Sequence, residues 1–176
     1  MKKRFPRIQD VVPVYAVISF MIYGWTFVLF FWKLPSWLHY MTLSQVFGAF
    51  SYGILTNLVE SLIVIGGLLG LCAVLPSRYL RDTFVDRGST ITIIALGSLM
   101  LYQYQFGGVR FDFANDIRPW FIATFFIILL FVFLVAKIRF LKSTMLNISD
   151  RLIIFLYILI PLSVICVLDV IIRNLG

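Results

Sequence analysis

Between Asp10 and Lys33 the chain runs for 22 residues without a charge, Val11 to Trp32. At about 1.5 Å of rise per residue such a helix extends about 33 Å, enough to cross the hydrocarbon core of a bilayer. This run predicts a first span at 11–32. The next apolar stretch, Met41 to Leu75, holds a single charge, Glu60, in 35 residues. As one helix it would extend about 52 Å, longer than the core is thick, so it must protrude, tilt or break. Thr42 and Gln45 have the spacing of a capping box, which places a helix start near Leu43. Gly48, Gly53 and the polar pair Thr56 and Asn57 offer places to bend. The expected division is an interfacial segment at 34–51 and a second span at 52–75. Three shorter runs follow at 89–106, 120–136 and 152–172, the last containing Asp169 and a Pro161 that predicts a kink.

The pattern therefore predicts an all-α integral membrane protein, a five-span transmembrane helical bundle forming a single membrane domain. Composition agrees: 61% of the 176 residues are apolar and 13% charged, with mean hydropathy +1.00. Soluble domains are near half apolar and a quarter charged, so a single soluble globule is excluded. Five spans with their loops use the whole length, leaving no room for a separate soluble domain.

Charge placement adds an orientation. With the N-terminus inside, the inner segments hold Lys2, Lys3, Arg4, Arg7, Arg78, Arg81, Arg87, Lys137, Arg139, Lys142 and Arg151, against Lys33, Arg110, Arg118 and Arg173 outside. This is a positive-inside bias, and five spans then put the C-terminus outside. Trp32, Trp37 and Trp120 fall at the predicted outer interface, where amphipathic rings prefer to lie. The first apolar run is too long for a signal-peptide core and lacks a small-residue cleavage site, so a retained helix is expected. The expected location is the plasma membrane, as a multi-pass protein.

The loops carry most of the charge. Residues 76–88 read as a short amphipathic helix on the inner membrane surface, with Leu80 and Phe84, and Arg78 and Asp82, four apart, and with Gly88 as its stop. Arg78, Arg81 and Arg87 in this segment, and Lys137, Arg139 and Lys142 in the inner loop 137–151, are expected to contact anionic lipid headgroups. The expected partners are thus the bilayer and its headgroups, with other membrane subunits or further copies of the chain, and not nucleic acid. Asp82 and Asp86 stand one turn apart, as metal-binding carboxylates near a phosphorylated substrate would. Three neighbouring arginines neutralise them, and the Gly-rich and additional Asp positions of phospholipid-alcohol transferases are absent. In the outer loop 107–118, Asp112, Asn115 and Asp116 read as turn and capping residues before the Pro119–Trp120 helix start, with cation binding as the alternative.

Within the spans only Glu60 and Asp169 are ionisable, and such residues are functional suspects because unpaired burial in lipid is costly. Counted from inner edges at Pro76 and Leu152, they lie roughly 24 and 26 Å up, with Gln103 and Gln105 at roughly 21 to 24 Å. Asn57 stands one turn beyond Glu60. An outer polar layer of Glu60, Asp169, Asn57, Gln103 and Gln105 would suit a polar solute, an ion or a lipid headgroup. The alternative is that these residues mark span ends and pair by snorkelling. Gly66 and Gly70, extended by Ala73, form a small-residue face for helix packing. Cys72 and Cys166 fall at different depths and are not expected to pair. His39 is the sole histidine and lacks a second ligand, so neither metal nor cofactor is expected.

No nucleophile elbow, P-loop or dinucleotide fingerprint is present, and no residue is assigned a catalytic role. The first functional expectation is a non-enzymatic subunit or accessory protein of a membrane complex. The second is a small transporter or binding protein for a solute, ion or lipid at the outer polar layer. The third is a lipid-modifying enzyme using Asp82 and Asp86.

Overall fold

A computed structural model describes residues 6–76, 80–106 and 116–175, apart from the side chain of Asp82. The described residues are helical apart from short connections, with no strand. Five long helices, α1 (Ile8–Trp37), α2 (Leu43–Val74), α3 (Phe84–Phe106), α4 (Arg118–Lys137) and α5 (Arg139–Leu175), follow one another, with a 3-10 turn at Arg81–Thr83 leading into α3. All five are long and apolar enough to cross a membrane, as a multi-pass protein requires.

The predicted ends of these helices differ from the observed ones, and each difference has a local cause. α1 continues through Lys33 and Pro35 to Trp37, because a charge ends an apolar run without breaking a backbone hydrogen bond. Residues 34–51 are not a separate segment. Leu34 to Trp37 complete α1, a turn follows, and α2 opens at Leu43 on the expected capping box. Thr42 Oγ1 accepts from the Gln45 amide at 3.4 Å, and Gln45 Oε1 accepts from the Thr42 amide at 2.9 Å.

From there α2 is one unbroken helix of 32 residues, because the features expected to bend it are otherwise engaged. Thr56 donates to its own backbone at Tyr52 O, and Asn57 Oδ1 accepts from Thr26 of α1 at 2.9 Å. Gly48 lies under the Arg173 guanidinium, where a Cβ would come within 3.3 Å of it.

Residues 80–88 also depart from expectation. Leu80 and Phe84 are 3% and 2% exposed, so the apolar side of this segment plugs into the core. Gly88 does not stop a helix. It is buried inside α3, where an added Cβ would sit 3.5 Å from both γ-carbons of Val14. The expected loop 137–151 shrinks to one non-helical residue, Ile138 (φ −99°, ψ 108°), and Arg139 onward is the first part of α5. The helical assignment of α5 runs through Pro161.

α1 is the hub: it packs against α2, α3 and α5, and α2 also packs on α5. The core joins Val14, Ile18, Ile22 and Tyr23 of α1 to Ile54, Ile65, Leu68 and Cys72 of α2, Leu159 and Cys166 of α5, and Phe84. α4 packs on α3 and more lightly on α5, and Val135 is its one buried residue.

Candidate functional site

Small hydroxyls placed on the apolar helices fasten them pairwise, and this lattice sets the levels of all candidate residues. The Tyr23 and Ser163 hydroxyls share a buried hydrogen bond of 2.7 Å between α1 and α5, and Tyr15 meets Ser61 of α2 at 3.2 Å. Ser89 of α3 and Ser149 of α5 are 2.7 Å apart and buried. Between α3 and α4, Trp120 Nε1 donates to Ser98 at 2.8 Å, and the Ser98 and Thr124 hydroxyls are 2.6 Å apart. Sequence reasoning passed over these contacts. Their only sequence signal is a hydroxyl inside an apolar run, which says nothing of its partner.

The five residues of the expected polar layer do not form one site. Asn57 binds Thr26, and Gln103 Oε1 accepts from Trp25 Nε1 at 2.7 Å. Gln105 is exposed, and its side chain makes no hydrogen bond among the described residues. Asp169 is held by Arg173 one turn along α5, whose Nε lies 2.9 Å from one carboxylate oxygen and 3.1 Å from the other. The same guanidinium reaches Ser44 at 3.3 Å, in the first turn of α2. Glu60 lies 16 residues further along α2, about 24 Å from Ser44, while Asp169 is only about 6 Å back from Arg173. The two carboxylates thus stand roughly 18 Å apart in level. The equal depth expected from counting rested on helix ends at Pro76 and Leu152, whereas α2 ends at Val74 and α5 already begins at Arg139.

Glu60 stands apart in a second respect. It is exposed on the outside of the bundle, and its side chain makes neither a hydrogen bond nor an ion pair among the described residues. On the same helix, Gly66, Gly70 and Ala73 are exposed as well, and nothing lies within 4 Å of where a Cβ would stand on Gly66 or Gly70. The small-residue face therefore has no partner among the described residues.

The expected headgroup residues gather at the end of the bundle where α1 and α3 begin. Lys137 Nζ sits 4.6 Å over the Phe133 ring, and Arg139 is exposed. Lys142 Nζ is 3.9 Å from Asp86, whose side chain is 4% exposed. Arg81 and Arg87 are half-buried at this end. Arg78, and the loop residues Arg110, Asp112 and Asn115, lie outside the described residues, as does the side chain of Asp82.

Among the described residues no three His, Cys, Asp or Glu side chains converge as a metal site. His39 is exposed, with Nδ1 3.2 Å from the Pro35 carbonyl oxygen. Cys72 and Cys166 are buried free thiols. An apolar groove of about 460 Å³ lies between α3 and α4, lined by Ile93, Ile94, Gly97, Leu101, Trp120 and Ile127 among others.

The chain matches no protein-family model, no curated protein and no solved structure.

Proposed function

We propose that the protein is a non-enzymatic subunit or accessory protein of a membrane complex, seated in the plasma membrane with its N-terminus inside and its C-terminus outside. The observation that carries this reading is the outward face of α2. In lipid, helices associate through close backbone approach at small residues. Gly66, Gly70 and Ala73 offer such an approach to a neighbour outside the chain. The orientation is supported by cation placement. Arg7, Arg81, Arg87, Lys137, Arg139, Lys142 and Arg151 belong to the end where α1 begins, and Lys33, Arg118 and Arg173 to the other.

A second reading, lipid binding, is favoured by the α3/α4 groove, whose size and apolar lining suit part of an acyl chain and whose lining includes Ser98, Trp120 and Thr124. The enzyme reading gains no support, since Asp86 is buried beside Lys142.

Purification of the full chain in mild detergent, with the mass of the intact particle measured, tests the first reading. The expected result is a stoichiometric second protein. A lone chain or homo-oligomer carrying an ordered lipid overturns it in favour of the second. Cysteines placed at positions 3 and 175 should label from opposite sides of the membrane, and same-side labelling overturns the five-span orientation.

A further inference from the structure

α2 carries two lengthwise stripes. Ile54, Asn57, Ser61, Ile65, Leu68 and Cys72 are buried and face the other helices. Thr56, Glu60, Ile63, Gly67, Gly70 and Val74 are all exposed. Their spacing alternates four and three, the repeat by which one helix presents a continuous seam to another at a shallow crossing angle. Ile63 and Val74 are 66% and 84% exposed, and no atom lies within 4 Å of a Cβ built on Gly67 or Gly70. The seam is thus shaped for a close helix neighbour that the described residues do not provide.

Glu60 determines which neighbour fits. Asn57 and Ser61 of α2 bond to Thr26 and Tyr15, so Glu60 is level with the middle of α1. In a bilayer this is the depth at which an unpaired carboxylate is most costly, and no described residue pairs with it. A second copy does not solve the problem. No Lys or Arg occurs within 8–32, 34–77, 88–109, 119–136 or 152–172, and Lys142 and Arg151 stand in the first part of α5, toward the end where α1 begins. Two copies meeting along this seam would bring carboxylate against carboxylate.

Resting on the subunit reading above, we infer that this seam docks a transmembrane helix of a different protein, one that carries a Lys or Arg at mid-span opposite Glu60. The glycines let the two backbones approach, and the cation neutralises the carboxylate. Charge complementarity of this kind also rejects neighbours lacking the cation, which makes Glu60 a specificity determinant.

The test uses the full chain in phosphatidylcholine vesicles with a donor dye at its C-terminus. The probes are acceptor-labelled Leu/Ala helices of about 20 residues carrying Lys, Leu or Glu at the centre. Energy transfer should show the Lys helix binding at least about tenfold more tightly than the Leu helix, and the Glu helix no better than the Leu helix. Glu60→Gln should abolish the preference for Lys while leaving helix content and elution unchanged, and Gly67→Ile should weaken Lys and Leu helices alike. Equal binding of Lys and Leu helices by the unaltered chain overturns the proposal. So does energy transfer between two copies that Gly67→Ile abolishes, since a second copy would then own the seam. An intact native complex whose mass is unchanged in Glu60→Arg also overturns it, yet leaves the subunit reading standing. A lone chain in the purification described above removes that reading instead.

Discussion

α1 and α4 are both apolar helices, and α4 is the more hydropathic of the two. Yet α1 buries eight residues, Pro13, Val14, Ala16, Val17, Ile18, Ser19, Ile22 and Tyr23, and α4 buries only Val135. In water the order would be reversed, because burial there follows apolarity. Among lipid tails a phenylalanine gains little by leaving the bilayer for a protein interior, and helices are held by close packing and hydrogen bonds instead. α1 has the means: Tyr15, Tyr23 and Thr26 each bond to another helix, and Ala16 and Ser19 keep its surface shallow. α4, rich in Phe, Ile and Leu, is tied to α3 through Trp120 and Thr124 at one end and buries Val135 near the other, while most of its large side chains remain outward.

The comparison predicts a graded response to substitution. The largest effect belongs to Ala16→Phe in the hub, where the residue is fully buried. Overpacking of this kind costs about 1 to 3 kcal/mol or more, and denaturation in mixed micelles should show a large loss of stability or no folded species. Ser98→Ala is intermediate. It removes both side-chain bonds that tie α4 to α3, and hydrogen bonds between helices in bilayers are worth roughly 0.6 kcal/mol each, at most about 1.7. A cross-link engineered between α3 and α4 should form more slowly in this variant, while α1–α5 cross-linking is unchanged. If α4 stays in place, the Trp120 cluster is not what holds it. The smallest effect is expected for Ala136→Phe on the exposed end of α4, below about 0.5 kcal/mol by the same denaturation measurement. A cost equal to that of Ala16→Phe would erase the distinction between hub and periphery.

The two helices also show what could be read without coordinates. The number of helices and the start of α2 at Thr42 and Gln45 follow from apolar run length and from a local exchange of hydrogen bonds, both properties of neighbouring residues. Helix ends at Lys33, Gly88 and Ile138 were less legible, because charges and glycines report where lipid contact stops or space is tight, not where backbone bonding stops. The candidate residues were recognisable individually, and Glu60, Asp169, Gly66 and Gly70 all stand out by type. Their grouping was not, since it depends on the offset between α2 and α5, which is set by Arg173 meeting Ser44 and Tyr23 meeting Ser163. With most faces apolar, no hydrophobic stripe announces which side of α2 meets α1 and which stays open.

The Tyr23–Ser163 bond spans 140 residues of chain. α1 leaves the ribosome long before α5, and at about 5 to 20 residues per second the wait is roughly 7 to 28 seconds. Throughout that interval the hub exists without the helix that completes it, its tyrosine hydroxyl open to any other donor or acceptor in the membrane. Assembly of this bundle is therefore timed by its last helix, and a chaperone or partner subunit that shields α1 during the delay would govern how much protein reaches the finished state.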